Sequence, residues 1–178
     1  MGGYGSGPGG YSSKMTVEDC RTLDINAFVR HGVVGKGYRS GSWVWTDATT
    51  GEQTSALGYT FEANGEFDAT LRLQYTTGRD EKKRSIDYRI RLQTTRPNYG
   101  GKRWWFHCPL IKNGRTCNRR VGRLYLPSGG LYFGCRHCYD LTYTSCQESH
   151  KYDEMYALLA RNMGTTPEIV KRVFSEKY

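Results

Sequence analysis

Four of the six cysteines in this chain stand in the order C-x8-C-x17-C-x2-C, at Cys108, Cys117, Cys135 and Cys138, and no other pattern in the 178 residues restricts the fold as much. The second pair, CRHC, has the spacing of a metal knuckle. The first, CPLIKNGRTC, opens like one and then puts eight residues between its cysteines. Lengthening a loop from two to eight residues is two doublings and costs about 1.2 kcal/mol of closure entropy. A structural zinc site contributes roughly 10–16 kcal/mol, so the long pair can still close. Asn113-Gly114 offers the turn that returns Cys117 to Cys108 and leaves Lys112 and Arg115 on an exposed finger.

Four thiolates suit one Zn2+ held tetrahedrally. Iron–sulfur ligation is the rival; the spacing matches neither common ferredoxin run, which favours zinc. With every position filled by protein sulfur, no place is left for water or substrate, so the ion is expected to be structural. Between the pairs, RRVGRLYL and LYFGC are short β-type runs joined by PSGG, the plan of a zinc ribbon. His107 and His137 flank the ligands and could replace Cys117. On a strand, however, His107 points away from Cys108, and His137, inside the second knuckle, is expected to be exposed. Cys146 and His150 share a helix face by spacing, but with only the distant Cys20 as a third ligand they are too few for a second metal.

The rest of the chain divides by composition and period. Residues 1–15 form a Gly-, Ser- and Tyr-rich arm. Residues 16–107 begin with TVEDCRTLDINAFVRHG, expected as helix from a Thr16 cap to a Gly32 stop, in one piece or as two short helices broken near Asp24. Val17, Cys20, Leu23, Ala27 and Phe28 would share its face, with Cys20 a small buried hydrophobe. From Ser42 the period becomes two. Trp43 and Trp45, then Leu57 to Phe61, Phe67 to Tyr75, Ile86 to Leu92 and Trp104 to His107 mark five strands. Asn64-Gly65 supplies a two-residue hairpin and TTGE a looser turn, giving an antiparallel meander, open or curled towards a barrel.

Residues 108–145 are the ribbon and residues 146–178 a helical pair. Its first helix runs from Gln147 to Met163 and stops at Gly164; its second is opened by Thr166-Pro167-Glu168. ALLARNMGTTPEIVKRVF resembles a helix-turn-helix, with Ala160, Gly164, Val170 and Val173 at the small, turn and apolar positions. That resemblance implies a recognition helix bearing Lys171 and Arg172; a two-helix cap packed on the sheet or ribbon is the alternative. The fold class expected is thus α+β: an antiparallel β-meander with an inserted or appended zinc ribbon and C-terminal helices.

The net charge of +9 is unevenly placed. From Arg79 to Arg123 there are 14 Lys and Arg against 3 Asp and Glu, and the remainder of the chain is slightly acidic. Such a block attracts polyanions, nucleic acid first among them. Its candidate phosphate contacts are Arg89, Arg91, Arg96, Lys102, Arg103, Lys112, Arg115, Arg119, Arg120 and Arg123. Trp104 and Trp105 offer rings for base stacking, and their opposite facing on a strand leaves one of them available. No apolar run suggests a membrane span or signal peptide, so a reducing cytoplasm, no membrane partner and metal-bound rather than disulfide-bonded cysteines are expected. No nucleophile elbow, Walker loop or HExxH helix stands in the sequence, and a non-enzymatic nucleic-acid-binding protein is the function expected, with DNA ahead of RNA. The alternative is an adaptor or inhibitor whose basic face meets an acidic protein.

The ribbon cysteines, the leader VEDCRTLDI from Val17 to Ile25 and the segment CRHCYDLTY from Cys135 to Tyr143 resemble a family of small zinc-ribbon proteins of bacterial chromosomes and mobile elements. The resemblance spans most of the chain and implies a metal site without a known activity. Its first knuckle is a compact CPxC, so this chain departs from the family at Leu110 to Thr116.

Overall fold

A computed structural model describes residues 14–47, 49–78, 83–148 and 152–175. The chain divides into two compact units, Asp19–Leu141 and a smaller one made of Met1–Glu18 with Thr142–Tyr178. The glycine-rich arm lies almost wholly outside the described residues, as does His150.

In the larger unit, strand β1 (Arg21–Asp24) leads into helix α1 (Ile25–Arg30), followed by β2 (Tyr38–Thr46), β3 (Gln53–Ala63), β4 (Asp68–Thr77), β5 (Arg84–Thr95) and β6 (Arg103–His107). The short strands β7 (Ile111–Lys112), β8 (Arg115–Thr116), β9 (Arg120–Val121) and β10 (Arg123–Leu126) come next. An antiparallel sheet of six strands runs in the order β2-β3-β4-β5-β6-β9, while β1 pairs with β10 and β7 with β8. Alternation decides which face is inward. Phe61 pairs with Leu71 and Leu71 with Ile90, so wholly buried side chains cross the sheet in one row. Phe28 of α1 closes over that face, its ring 4.6 Å from Trp43 and 6.0 Å from Phe106. Burying a side chain of this size stabilises by about 1.5–3 kcal/mol.

Three expectations need correction. Arg21–Asp24 is a strand, not part of a helix; Leu23, buried completely, fits either period, and pairing with Leu124 decides it. The helix begins only at Ile25, where the Asp24 carboxylate accepts from the Asn26 N–H at 2.8 Å. Asn64-Gly65 does not make a two-residue turn: residues 64–67 form the connection, and Phe67 stands exposed at the sheet's end with the Arg96 guanidinium 5.0 Å from its ring centre. The run RRVGRLYL splits at Gly122, giving β9 to the sheet and β10 to the β1 ribbon. Its expected partner LYFGC contributes a single bridge, Tyr125 with Gly134, closed by two backbone hydrogen bonds of 2.8 and 2.9 Å.

In the smaller unit, Thr16 and Thr142 form a parallel bridge, and the helices are α2 (Thr144–Glu148), α3 (Asp153–Met163) and α4 (Pro167–Ser175). The single helix expected from Gln147 to Met163 is thus α2 and α3, with residues 149–151 outside those described. Gly164, at φ 62°, ends α3, and the Thr165 N–H donates to the Ala160 carbonyl at 2.9 Å. Pro167 opens α4 after a connection of three residues. Ala160 and Val170 are buried, whereas Val173 is 57% exposed. No helix among the described residues is long and apolar enough to cross a membrane.

Candidate metal centre

Cys108 leaves the end of β6 and Cys117 follows β8, while Cys135 and Cys138 lie in the turn after the Gly134 bridge. Their Sγ atoms all fall within 4.8 Å of one another, and both the Cys108–Cys138 and the Cys117–Cys135 separations are 3.8 Å. Sulfurs placed ~2.3 Å from one tetrahedral ion stand ~3.8 Å apart, so the group can hold a metal. The Cys135 N–H donates to the Cys108 sulfur at 3.2 Å, one of the backbone contacts that orient the set.

The eight residues of the first pair fold into a hairpin of their own. Ile111 pairs with Thr116 and Lys112 with Arg115 across a two-residue turn. Asn113 (φ 52°) and Gly114 (φ 73°) are both left-handed, as a type I′ turn requires. The Cys117 N–H donates to the Leu110 carbonyl at 2.8 Å, one step below that ladder. The Asn118 N–H donates to the Cys108 carbonyl at 3.1 Å, and the Tyr139 N–H donates to the Cys135 carbonyl at 3.3 Å. In both pairs, then, the residue after the second cysteine bonds back to the first. Residues 111–116 are an excursion from a knuckle whose closing bonds do not involve them; without them the chain would read CPLC.

Among the sulfurs, charge gathers on one atom. The Cys135 thiol is drawn down to about 4, chiefly by its hydrogen bond with Cys108. Cys108 is pushed up by the same bond and by burial, and Cys138 rises to about 12, burial being the larger cause. Thiols so close resist further ionisation unless a cation joins them, and an ion there would displace the remaining protons.

Close packing holds the site. A Cβ on Gly134 would lie 2.1 Å from Leu110 Cδ1 and 2.9 Å from the Tyr139 ring, so glycine admits Leu110 beside the second pair. His107 is buried, with Nδ1 2.8 Å from Asn118 Oδ1 and Nε2 3.1 Å from Gln93 Oε1, so both ring nitrogens are engaged and the ring ties β6 to the residue after Cys117. His137 is exposed. Strand alternation pointed His107 away from the sulfurs; its partners, eleven and fourteen residues distant, gave no signal in the sequence.

The basic candidates divide. Arg91 pairs with Asp68, Arg96 and Lys102 share Glu66, Arg123 pairs with Asp24 and Lys171 with Asp153. Arg103 lies 4.2 Å from the Trp105 ring centre, and Arg172 is exposed on α4. Arg89, Lys112, Arg115, Arg119 and Arg120 are exposed and make no salt bridge among the described residues. Trp104 packs edge-on against Phe61 at 5.9 Å, and Trp105 donates to Thr95 Oγ1 at 2.9 Å on the other face. From Lys102 to Tyr139 the sequence holds eight Lys and Arg and not one acidic residue. No family model, curated protein or solved structure matches the chain.

Proposed function

We propose that the protein is a non-enzymatic nucleic-acid-binding protein with one structural Zn2+ at Cys108, Cys117, Cys135 and Cys138. The observation that carries this reading is the acid-free basic run folded about the cysteine group, with Lys112, Arg115, Arg119 and Arg120 exposed and in no salt bridge among the described residues. Their nearness in sequence to two ligands ties their positions to the knuckle. Zinc is favoured over an iron–sulfur cluster because four sulfurs within 4.8 Å of one another, two of the pairs at 3.8 Å, suit a single ion, whereas a cluster spreads its ligands around several metals. DNA is favoured over RNA because a two-stranded hairpin fits the major groove of B-form DNA, which the narrow major groove of A-form RNA excludes. The three-residue connection between α3 and α4 and the buried Ala160 and Val170 support a helix-turn-helix as a second contact, whereas Val173, expected at an apolar packing position of that motif, is exposed.

One observation favours a protein partner instead: Leu158, Ile169, Val173 and Phe174 are all at least half exposed. An acidic protein that retained the chain on purification, with no nucleic acid present, would support the alternative of a protein-binding adaptor or inhibitor carried by a mobile element.

The deciding experiment measures metal content and binding to a short labelled duplex across a salt series. We expect one equivalent of zinc and a steep fall in affinity with salt. Replacing Lys112, Arg115, Arg119 and Arg120 together by Ala flattens the log–log slope by up to about 3.6, at about 0.9 per phosphate contact. Salt-independent binding overturns the nucleic-acid reading, and iron in place of zinc overturns the metal.

A further inference from the structure

A cleft of about 1100 Å3 opens between β1, the facing ends of β4 and β5, and the turn after β10. Arg21, Lys83 and Arg84 line it, against Asp19 as the one acid among its described lining residues. None of these three cations makes a salt bridge among the described residues. The fourth wall is backbone: the Gly130 N–H donates to the Pro127 carbonyl at 2.9 Å, and Gly129 (φ 78°) takes the left-handed place in that turn. A chamber of about 290 Å3 adjoins the cleft, and Arg21, Thr77, Gly78 and Leu126 wall both.

The chamber mixes ring faces with hydroxyls. The half-buried Trp45 and Tyr75 and the buried Phe133 line it beside Thr54, Ser55 and Thr76. The Trp45 and Phe133 rings lie within 11° of parallel at 6.0 Å, and Tyr75 meets Phe133 edge-on at 5.8 Å. Trp45 Nε1 donates to the Thr22 carbonyl and the Tyr75 hydroxyl to the Leu131 carbonyl, so these rings are fixed in place. Ser55 stands in the same wall, and its Oγ is the only buried side-chain N or O among the described residues that lacks a hydrogen-bond partner.

We infer that the cleft and chamber together bind a nucleoside phosphate, its phosphate at Arg21, Lys83 and Arg84 and its base against the aromatic wall. An inorganic anion would leave the chamber unused, and an uncharged aromatic ligand would leave the cations without a salt-bridge partner among the described residues; a ligand with a flat, polar-edged ring joined to an anion uses both. The combined space is ample for such a molecule, since small-molecule sites run to about 300–1,000 Å3. The same chemistry is offered by a free mononucleotide and by the phosphorylated end of a strand. The inference is independent of the reading above, because Arg21, Lys83 and Arg84 belong to none of the proposed duplex contacts.

Calorimetric titration of the metal-loaded protein with AMP, CMP, GMP and UMP tests it. We expect saturable binding, with inorganic phosphate and adenosine each at least about tenfold weaker than AMP, a difference of ~1.4 kcal/mol. The triple variant Arg21→Gln/Lys83→Gln/Arg84→Gln alters only exposed side chains. It should keep its metal content while losing AMP affinity by at least about a hundredfold, at about tenfold for each of two or more charge-assisted contacts. The Lys112, Arg115, Arg119 and Arg120 variant should bind AMP as the parent does, so failure of one proposal leaves the other standing. Displacement of AMP by a 5′-phosphorylated oligonucleotide, and not by its unphosphorylated counterpart, assigns the strand end; AMP binding that neither displaces assigns the free nucleotide. Absence of saturable binding, phosphate binding as tight as that of AMP, or unchanged AMP affinity in a folded triple variant overturns the inference.

Discussion

Removing Ile111 to Thr116 and joining Leu110 to Cys117 converts CPLIKNGRTC into CPLC, and the structure states what that should do. Directly opposed residues of an antiparallel pair lie about 4.5–5.5 Å apart at Cα, and consecutive residues lie about 3.8 Å apart, so a bond can replace the gap after a shift of only 1–2 Å. Shortening the loop from eight intervening residues to two favours closure by about 1.2 kcal/mol. Against it stand two cross-strand pairs, Ile111 with Thr116 and Lys112 with Arg115, worth about 0.2–1 kcal/mol each. All the removed side chains are exposed, so no core is lost. The net change is within about 1 kcal/mol, small beside the roughly 10–16 kcal/mol of a structural zinc site. The shortened protein should therefore take up one equivalent of metal, measured by cobalt substitution and elemental analysis. Its duplex affinity should show a salt slope shallower by up to about 1.8 for the loss of Lys112 and Arg115. A shortened protein that folds but holds no metal would refute the view that the hairpin is an insertion, and an unchanged slope would remove the hairpin from the duplex contacts.

Four other outcomes are expected. Gly134→Ala drives a methyl into Leu110 and should destabilise by about 1–3 kcal/mol in denaturant melts, with faster metal loss to a chelator; full stability would mean that Leu110 packs elsewhere. Because Cys108 and Cys138 are raised and hold their protons near neutrality, metal binding expels at least those two. Apparent affinity should then fall at least about a hundredfold for each unit the pH drops below neutral, and more steeply once Cys135 also protonates near about 4; a flat profile in a competitive metal titration contradicts this. Phe28→Ala empties the space between Trp43 and Phe106 and should cost about 3–5 kcal/mol in denaturant unfolding, a cost below 1 kcal/mol counting against the packing described. Ser55→Ala removes a buried hydroxyl without a partner and should raise stability by about 1 kcal/mol; a loss would mean that the hydroxyl is satisfied.

Period-two alternation made the sheet legible, because Leu71, Leu73, Ile90 and Leu92 are buried on one face and their neighbours are not. It failed at the ends of strands, where burial stops but apolar residues continue: Phe67 keeps the parity of β4 and yet lies beyond it under Arg96. Cysteine spacing together with Asn113-Gly114 was enough to foresee the convergence of four sulfurs. The arginines were legible as a block but not one by one. Arg91 and Arg96 meet Asp68 and Glu66 from residues 23 and 30 positions earlier, and only folding reveals such pairs. The leader was misread for the same reason, since Arg21–Asp24 takes its conformation from β10, about a hundred residues on.

That last pairing bears on the order in which the protein can be made. While the chain emerges from a ribosome, β1 has no mate until residues 123–126 are free, and by then every strand of the main sheet has appeared. Leu23 and the ribbon edge stay open throughout that interval, a vulnerable stage for aggregation or cleavage. Truncations ending anywhere between Asp24 and Arg123 should leave the same edge open, so β1 depends on a segment made only after the main sheet is complete.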